Sequence, residues 1–94
     1  MSEDINDLTI EYEEDGKILT RELDKVILSK GAWATLIFRY QTWTEKNQAY
    51  SEDKYVIQRY RKTGGVYKRQ SKFNISNSAQ AQKIIDALSG WIED

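Results

Sequence analysis

Residues 32–43, Ala-Trp-Ala-Thr-Leu-Ile-Phe-Arg-Tyr-Gln-Thr-Trp, alternate in a way that suits a strand with two unlike faces. Ala34, Leu36, Phe38 and Tyr40 fall on one side. Trp33, Thr35, Ile37, Arg39, Gln41 and Trp43 fall on the other. β-branched and aromatic side chains at these positions favour a central strand over a helix. A wholly apolar strand face has to be covered, so this run sets the task for the rest of the chain.

With 94 residues, the chain has room for one domain. Residues 1–7 read as an acidic lead expected to be disordered. Residues 8–28 read as an N-terminal hairpin: Leu8, Ile10 and Tyr12 alternate with polar residues, and Asp15-Gly16 is a hairpin turn signal. Lys17 to Leu23 reads as the return strand, and Val26-Ile27-Leu28 as its continuation past a bulge or a short separate strand. The central strands occupy 32–75, with a polar loop at 44–53 and a second hairpin turn at Gly64-Gly65. The period then changes. Ala81, Ile84, Ile85, Leu88, Trp91 and Ile92 mark one stripe of a helix over 77–92, with Ser76 or Ser78 as its N-cap. The expected fold is α+β: an antiparallel sheet of four to five strands followed by one C-terminal helix packed on one face. The helix stripe is expected to seat on the apolar sheet face.

Cys and His are both absent, which removes disulfides, thiolate or imidazole metal sites, cysteine nucleophiles and Ser-His-Asp triads. The Thr63-Gly64-Gly65 turn matches neither spacing of a phosphate-cradling glycine loop. No cofactor, no metal and no catalytic residue is expected, and the chain is not read as an enzyme. No run reaches the ~18 apolar residues of a membrane helix. The acidic start lacks a signal peptide's basic and apolar regions, so a soluble cytoplasmic domain is expected, with no membrane partner.

Charge is distributed unevenly. Residues 1–53 carry six Lys/Arg against twelve Asp/Glu, a net of −6; residues 54–94 carry eight against three, a net of +5. Either the two halves neutralise each other or the basic half is a working surface. A two-residue turn at Gly64-Gly65 sets Arg61 opposite Lys68, Tyr60 opposite Arg69, Arg59 opposite Gln70 and Ile57 opposite Lys72. One face then holds Arg59, Arg61, Lys68, Gln70 and Lys72, and facing like charges cost a few tenths of a kcal/mol. The cost is understandable if an anion supplies the counter-charge; a solvated face that resists edge aggregation is the plain alternative. Trp33, Arg39 and Trp43 join this face if the helix covers the apolar side. Together Trp33, Arg39, Trp43, Arg59, Arg61, Lys68 and Lys72 form the nucleic-acid-binding set: cations for phosphates and rings for stacking bases, each stacked base worth about 1–3 kcal/mol. Packing of the two Trp in a second core or a dimer interface is the alternative.

Tyr55-Val56-Ile57-Gln58-Arg59-Tyr60-Arg61, and Lys72-Phe73-Asn74-Ile75-Ser76 leading into the helix, resemble the positive-cofactor-type transcriptional coactivators that bind single-stranded DNA. The similar segment runs from Ala32 to Ile92. The resemblance implies a curved sheet that takes the nucleic acid, a dimer formed through the C-terminal helix, and basic roles for Arg59, Arg61 and Lys72. The chain departs from the family in having Phe73 where a Gly is usual, no Pro in the hairpin turn, and the extra 44–53 loop and acidic hairpin. The expected partners are single-stranded DNA or RNA and, in a homodimer, a second copy of the chain. A protein-interaction or self-association domain without nucleic acid is the other reading.

Overall fold

The computed structural model describes residues 4–92. Its sheet comprises β1 (Tyr12–Glu14), β2 (Lys17–Ser29), β3 (Trp33–Thr44), β4 (Ala49–Tyr50), β5 (Lys54–Thr63) and β6 (Val66–Ile75), and one helix, α1 (Ser78–Ile92), follows. The strands pair in the order β1-β2-β3-β5-β6, with β4 also on β3. All pairs are antiparallel, and the sheet curves into a half-barrel ahead of the terminal helix, an α+β arrangement.

Local chemistry explains the strand joints. Asp15 (φ 52°) with Gly16 (φ 79°), and Gly64 (61°) with Gly65 (82°), supply the consecutive positive φ angles of type I′ turns. In β2 the register shifts between Glu22 and Asp24 and again between Ile27 and Ser29, leaving Leu23 and Leu28 as extra residues. Such bulges bend a strand, which helps the sheet curl. The polar segment expected to be a plain loop over 44–53 contains β4, paired through Trp43↔Tyr50 and Thr44↔Ala49.

The two-faced reading of 32–43 matches the burial. Ala34, Leu36 and Phe38 are fully buried, and Val56, Tyr60 and Tyr67 complete the same cluster. Burial of a side chain as large as Phe38 or Leu36 contributes about 1.5–3 kcal/mol.

The lid over this cluster is the N-terminal segment and not the helix, a correction to the expected seat of α1. Leu8 is 5% exposed within the cluster, with Ile5 and Ile10 packed against it. Lys25 Nζ donates to the carbonyls of Asn6 and Leu8, each at 2.6 Å, and so ties the segment to β2. Of the acidic lead 1–7, residues 1–3 lie outside the described residues. Residues 4–7 are structured as a 3-10 turn over Ile5–Asp7, which Asp4 caps by accepting from the Asn6 N–H at 2.8 Å. Residues 8–11 form no strand; pairing begins at Tyr12.

Helix α1 begins as the period predicts, but its cap is Asn77, whose side chain accepts from the Gln80 N–H at 2.8 Å, and not Ser76 or Ser78. No residue of α1 is buried. Ile85, Leu88, Trp91 and Ile92 are exposed. The helix is fastened near its start, where the Tyr55 hydroxyl and Ser78 Oγ lie 3.0 Å apart. Among the described residues no helix is long and apolar enough to cross a membrane.

Candidate functional site

The β5–β6 register begins as the turn dictates: Thr63↔Val66, Lys62↔Tyr67, Arg61↔Lys68 and Tyr60↔Arg69. It then shifts. Arg59 pairs with Ser71, Gln58 with Lys72, Ile57 with Phe73 and Tyr55 with Ile75, so Gln70 is an extra residue. Because side chains alternate with a period of two, one inserted residue sends every later side chain to the other face. Lys72 therefore leaves the arginine face and stands on the core face beside Gln58, a correction to the expected set. Phe73 goes the other way and is 55% exposed. Ile75 joins Tyr55 on the open face, where it is buried apart from the main cluster.

The open face then has four rows across the sheet. The first is Trp33, Arg61 and Lys68, and the second is Thr35, Arg59 and Ser71. The third is apolar: Val26, Ile37, Ile57 and Phe73. The fourth is Asp24, Arg39, Tyr55 and Ile75.

The first two rows bring Trp33, Arg59, Arg61 and Lys68 together. The guanidinium carbons of Arg59 and Arg61 lie 4.5 and 5.5 Å from the centre of the Trp33 ring. Trp33 is 40% exposed. Among the described residues, no carboxylate lies within ion-pair distance of Arg59, Arg61 or Lys68. The described part of the N-terminal segment, through Ile5, Leu8 and Ile10, packs over the core face and not over these cations.

The other expected residues separate from this cluster. Arg39 is paired with Asp53 at 3.0 Å, and Gln41 Nε2 donates to the same carboxylate at 2.9 Å. These bonds, Gln41 first and Arg39 second, hold the Asp53 carboxyl below its ordinary range. Trp43 stands ten positions from Trp33 on β3, about 33 Å along the strand. Its ring carries Lys17 Nζ 3.4 Å from its centre and meets Tyr50 edge-on at 5.1 Å. Its indole N–H donates to Glu45 at 2.7 Å. Lys17, Arg21 and Tyr50 thus form a second cationic and aromatic group, with the Arg21 guanidinium 3.7 Å from the Tyr50 ring centre. The sequence signal for that group was weak, because Tyr50 sits in a polar stretch that reads as a loop.

The fold and the cluster define a class: a curved antiparallel sheet with one face lidded by the N-terminal segment and one open face whose cations, on an aromatic support, meet no carboxylate among the described residues. Compared with known family models, curated proteins and solved structures, the chain matches none.

Proposed function

We propose that the domain binds single-stranded nucleic acid through the open face, with Arg59, Arg61 and Lys68 meeting phosphates. The observation that carries this reading is the Arg61↔Lys68 like-charge pair, which has no carboxylate partner among the described residues, with Arg61 and the neighbouring Arg59 both over the Trp33 ring. Such a pair costs stability unless an anion joins it. Trp33 acts first as a support that orders the two arginines and second as a surface that extends a stack of bases. The similarity of Arg59 and Arg61 to basic positions in the single-strand-binding coactivators supports the same reading. A double helix suits the surface less well, because the polar side of α1, with Gln80, Gln82, Lys83 and Asp86, offers a major groove little positive charge. The reading is of a binding module with no reaction to perform.

The test is a fluorescence titration with oligo-dT, using a variant in which Trp33 is the single Trp. Three phosphate contacts on a single strand predict a log–log salt slope of about −2, so affinity should fall about 18-fold between 50 and 200 mM salt. Absence of quenching at the lower salt, or an affinity indifferent to salt, would overturn the reading.

Self-association is the second reading, and a separate observation favours it. The helix turns no residue into the core and leaves Trp91 at 81% and Ile92 at 74% exposure. Exposed apolar patches of this kind commonly mark contact surfaces. Sedimentation as a dimer, with Trp91→Glu sedimenting as a monomer, supports it; a monomer at high concentration removes it.

A further inference from the structure

On the core side of the sheet, a cleft of about 540 Å³ opens between the N-terminal lid and strands β5 and β6. Leu8 and Ile10 of the lid and Tyr60 and Tyr67 of the sheet form its apolar and aromatic walls. Gln58 and Arg69 supply its polar groups on the sheet side.

Gln58 is out of place for a packed strand. It is 5% exposed, lies between Val56 and Tyr60 on the core face, and pairs with the fully buried Leu36. Its Oε1 accepts from the Tyr60 hydroxyl. Its Nε2 amide has no hydrogen-bond partner among the described residues and is open to the cleft that the residue lines. An accessible amide in a cleft can donate to a ligand that takes the place of water. Arg69, directly opposite Tyr60 on β6, also has no ion pair among the described residues. The lining thus has two donor groups with no protein acceptor among the described residues. Asp7 is the one carboxylate in the lining and belongs to the lid, so an acid group is best accommodated on the sheet side.

We infer that this cleft is a binding site for a small oxyanion carried on a planar apolar body, an aromatic carboxylate or phosphate monoester. The oxyanion accepts from Gln58 Nε2 and the Arg69 guanidinium, and the ring lies among Tyr60, Tyr67, Leu8 and Ile10. The volume falls in the range of small-ligand pockets, about 300–1,000 Å³. This inference is independent of the nucleic-acid reading, since it uses the other face of the sheet.

The experiment is a ¹H–¹⁵N titration that follows the Gln58 side-chain amide. Benzoate and phenyl phosphate are the two acid probes, and benzyl alcohol and inorganic phosphate are the controls. At least one acid is expected to give a saturable shift of the Gln58 amide, and the stronger of the two identifies the acid class. Arg69→Gln, at an exposed position that should leave the fold intact, is expected to weaken that binding about tenfold, in keeping with loss of a charge-assisted hydrogen bond. Lys68→Gln, on the open face, is expected to leave it unchanged. No saturable shift with either acid, an equal shift with benzyl alcohol, or an Arg69→Gln response equal to wild type would overturn the inference.

Discussion

Leu8→Ala and Leu88→Ala are the same chemical change at two sites that the fold treats differently. Leu8 is 5% exposed in the lid over the core, whereas Leu88 is 47% exposed on α1. Removing three buried carbons forfeits about 2.4 kcal/mol of transfer free energy, at about 0.8 kcal/mol per group. A residual cavity would add to this, but a terminal segment can settle into the gap, so a loss of about 2–3 kcal/mol is expected for Leu8→Ala. Leu88→Ala in a monomer should cost less than about 0.5 kcal/mol, as for a surface substitution. Urea unfolding followed by circular dichroism reads both. With a slope near 1 kcal/mol per molar urea, the Leu8→Ala midpoint should drop by about 2–3 M. If Leu8→Ala left the midpoint in place while Leu88→Ala lowered it at every protein concentration, the helix and not the amino-terminal segment would be the lid over the core. A Leu88→Ala loss that grows with protein concentration would instead reveal burial between copies.

Other substitutions test separate parts of the molecule. Lys68→Thr should raise stability by a few tenths of a kcal/mol by removing the repulsion with Arg61, while lowering oligo-dT affinity and reducing the salt slope by about 0.7; a variant that gains stability without losing affinity contradicts the proposed role. Gly65→Ala should cost about 1 kcal/mol through backbone strain at φ 82°, since an added Cβ there meets nothing within 4 Å, and thermal unfolding measures it. Asp53 has a depressed carboxyl pKa, so its contribution is complete above the unfolded value of about 3.9 and is lost as pH falls through the lower folded value; Asp53→Asn should flatten the acid limb of a stability–pH curve. Burial raises the phenol of Tyr60, opposed by Arg69 and reinforced by Glu22. Its contribution is therefore complete below about pH 10 and declines as pH rises through the folded value, and Tyr60→Phe should reduce the alkaline loss seen in urea midpoints.

Much of this architecture was legible in the residues themselves. Alternation along 32–43 separates the fully buried Leu36 and Phe38 from the face that holds Trp33 and Arg39, because a pleated strand has a fixed period of two. Asp15-Gly16 and Gly64-Gly65 announce their turns because few residues accept positive φ. The i, i+3, i+4 stripe announces α1 for the same kind of local reason. These features depend on neighbours along the chain.

The surroundings of each face depended on contacts made across the chain. The extra residue Gln70 leaves no mark in a polar stretch, yet it moves Lys72 to the core face and turns Ile75 toward Tyr55 on the open one. The chain leaves β6 at Ile75, and the two-residue link to Ser78 starts the helix beside Tyr55, away from the core cluster. The core face was left for Ile5, Leu8 and Ile10, although Leu8, Ile10 and Tyr12 alternate as a strand would and Ile5 lies in the acidic lead. Arg39 and Trp43 look as available in the sequence as Arg61 does, but Asp53 and Lys17 reach them only because β5 and β2 lie on either side of β3. Periodicity assigns side chains to faces only as far as the next bulge; bulges, strand register and chain reach decide the rest.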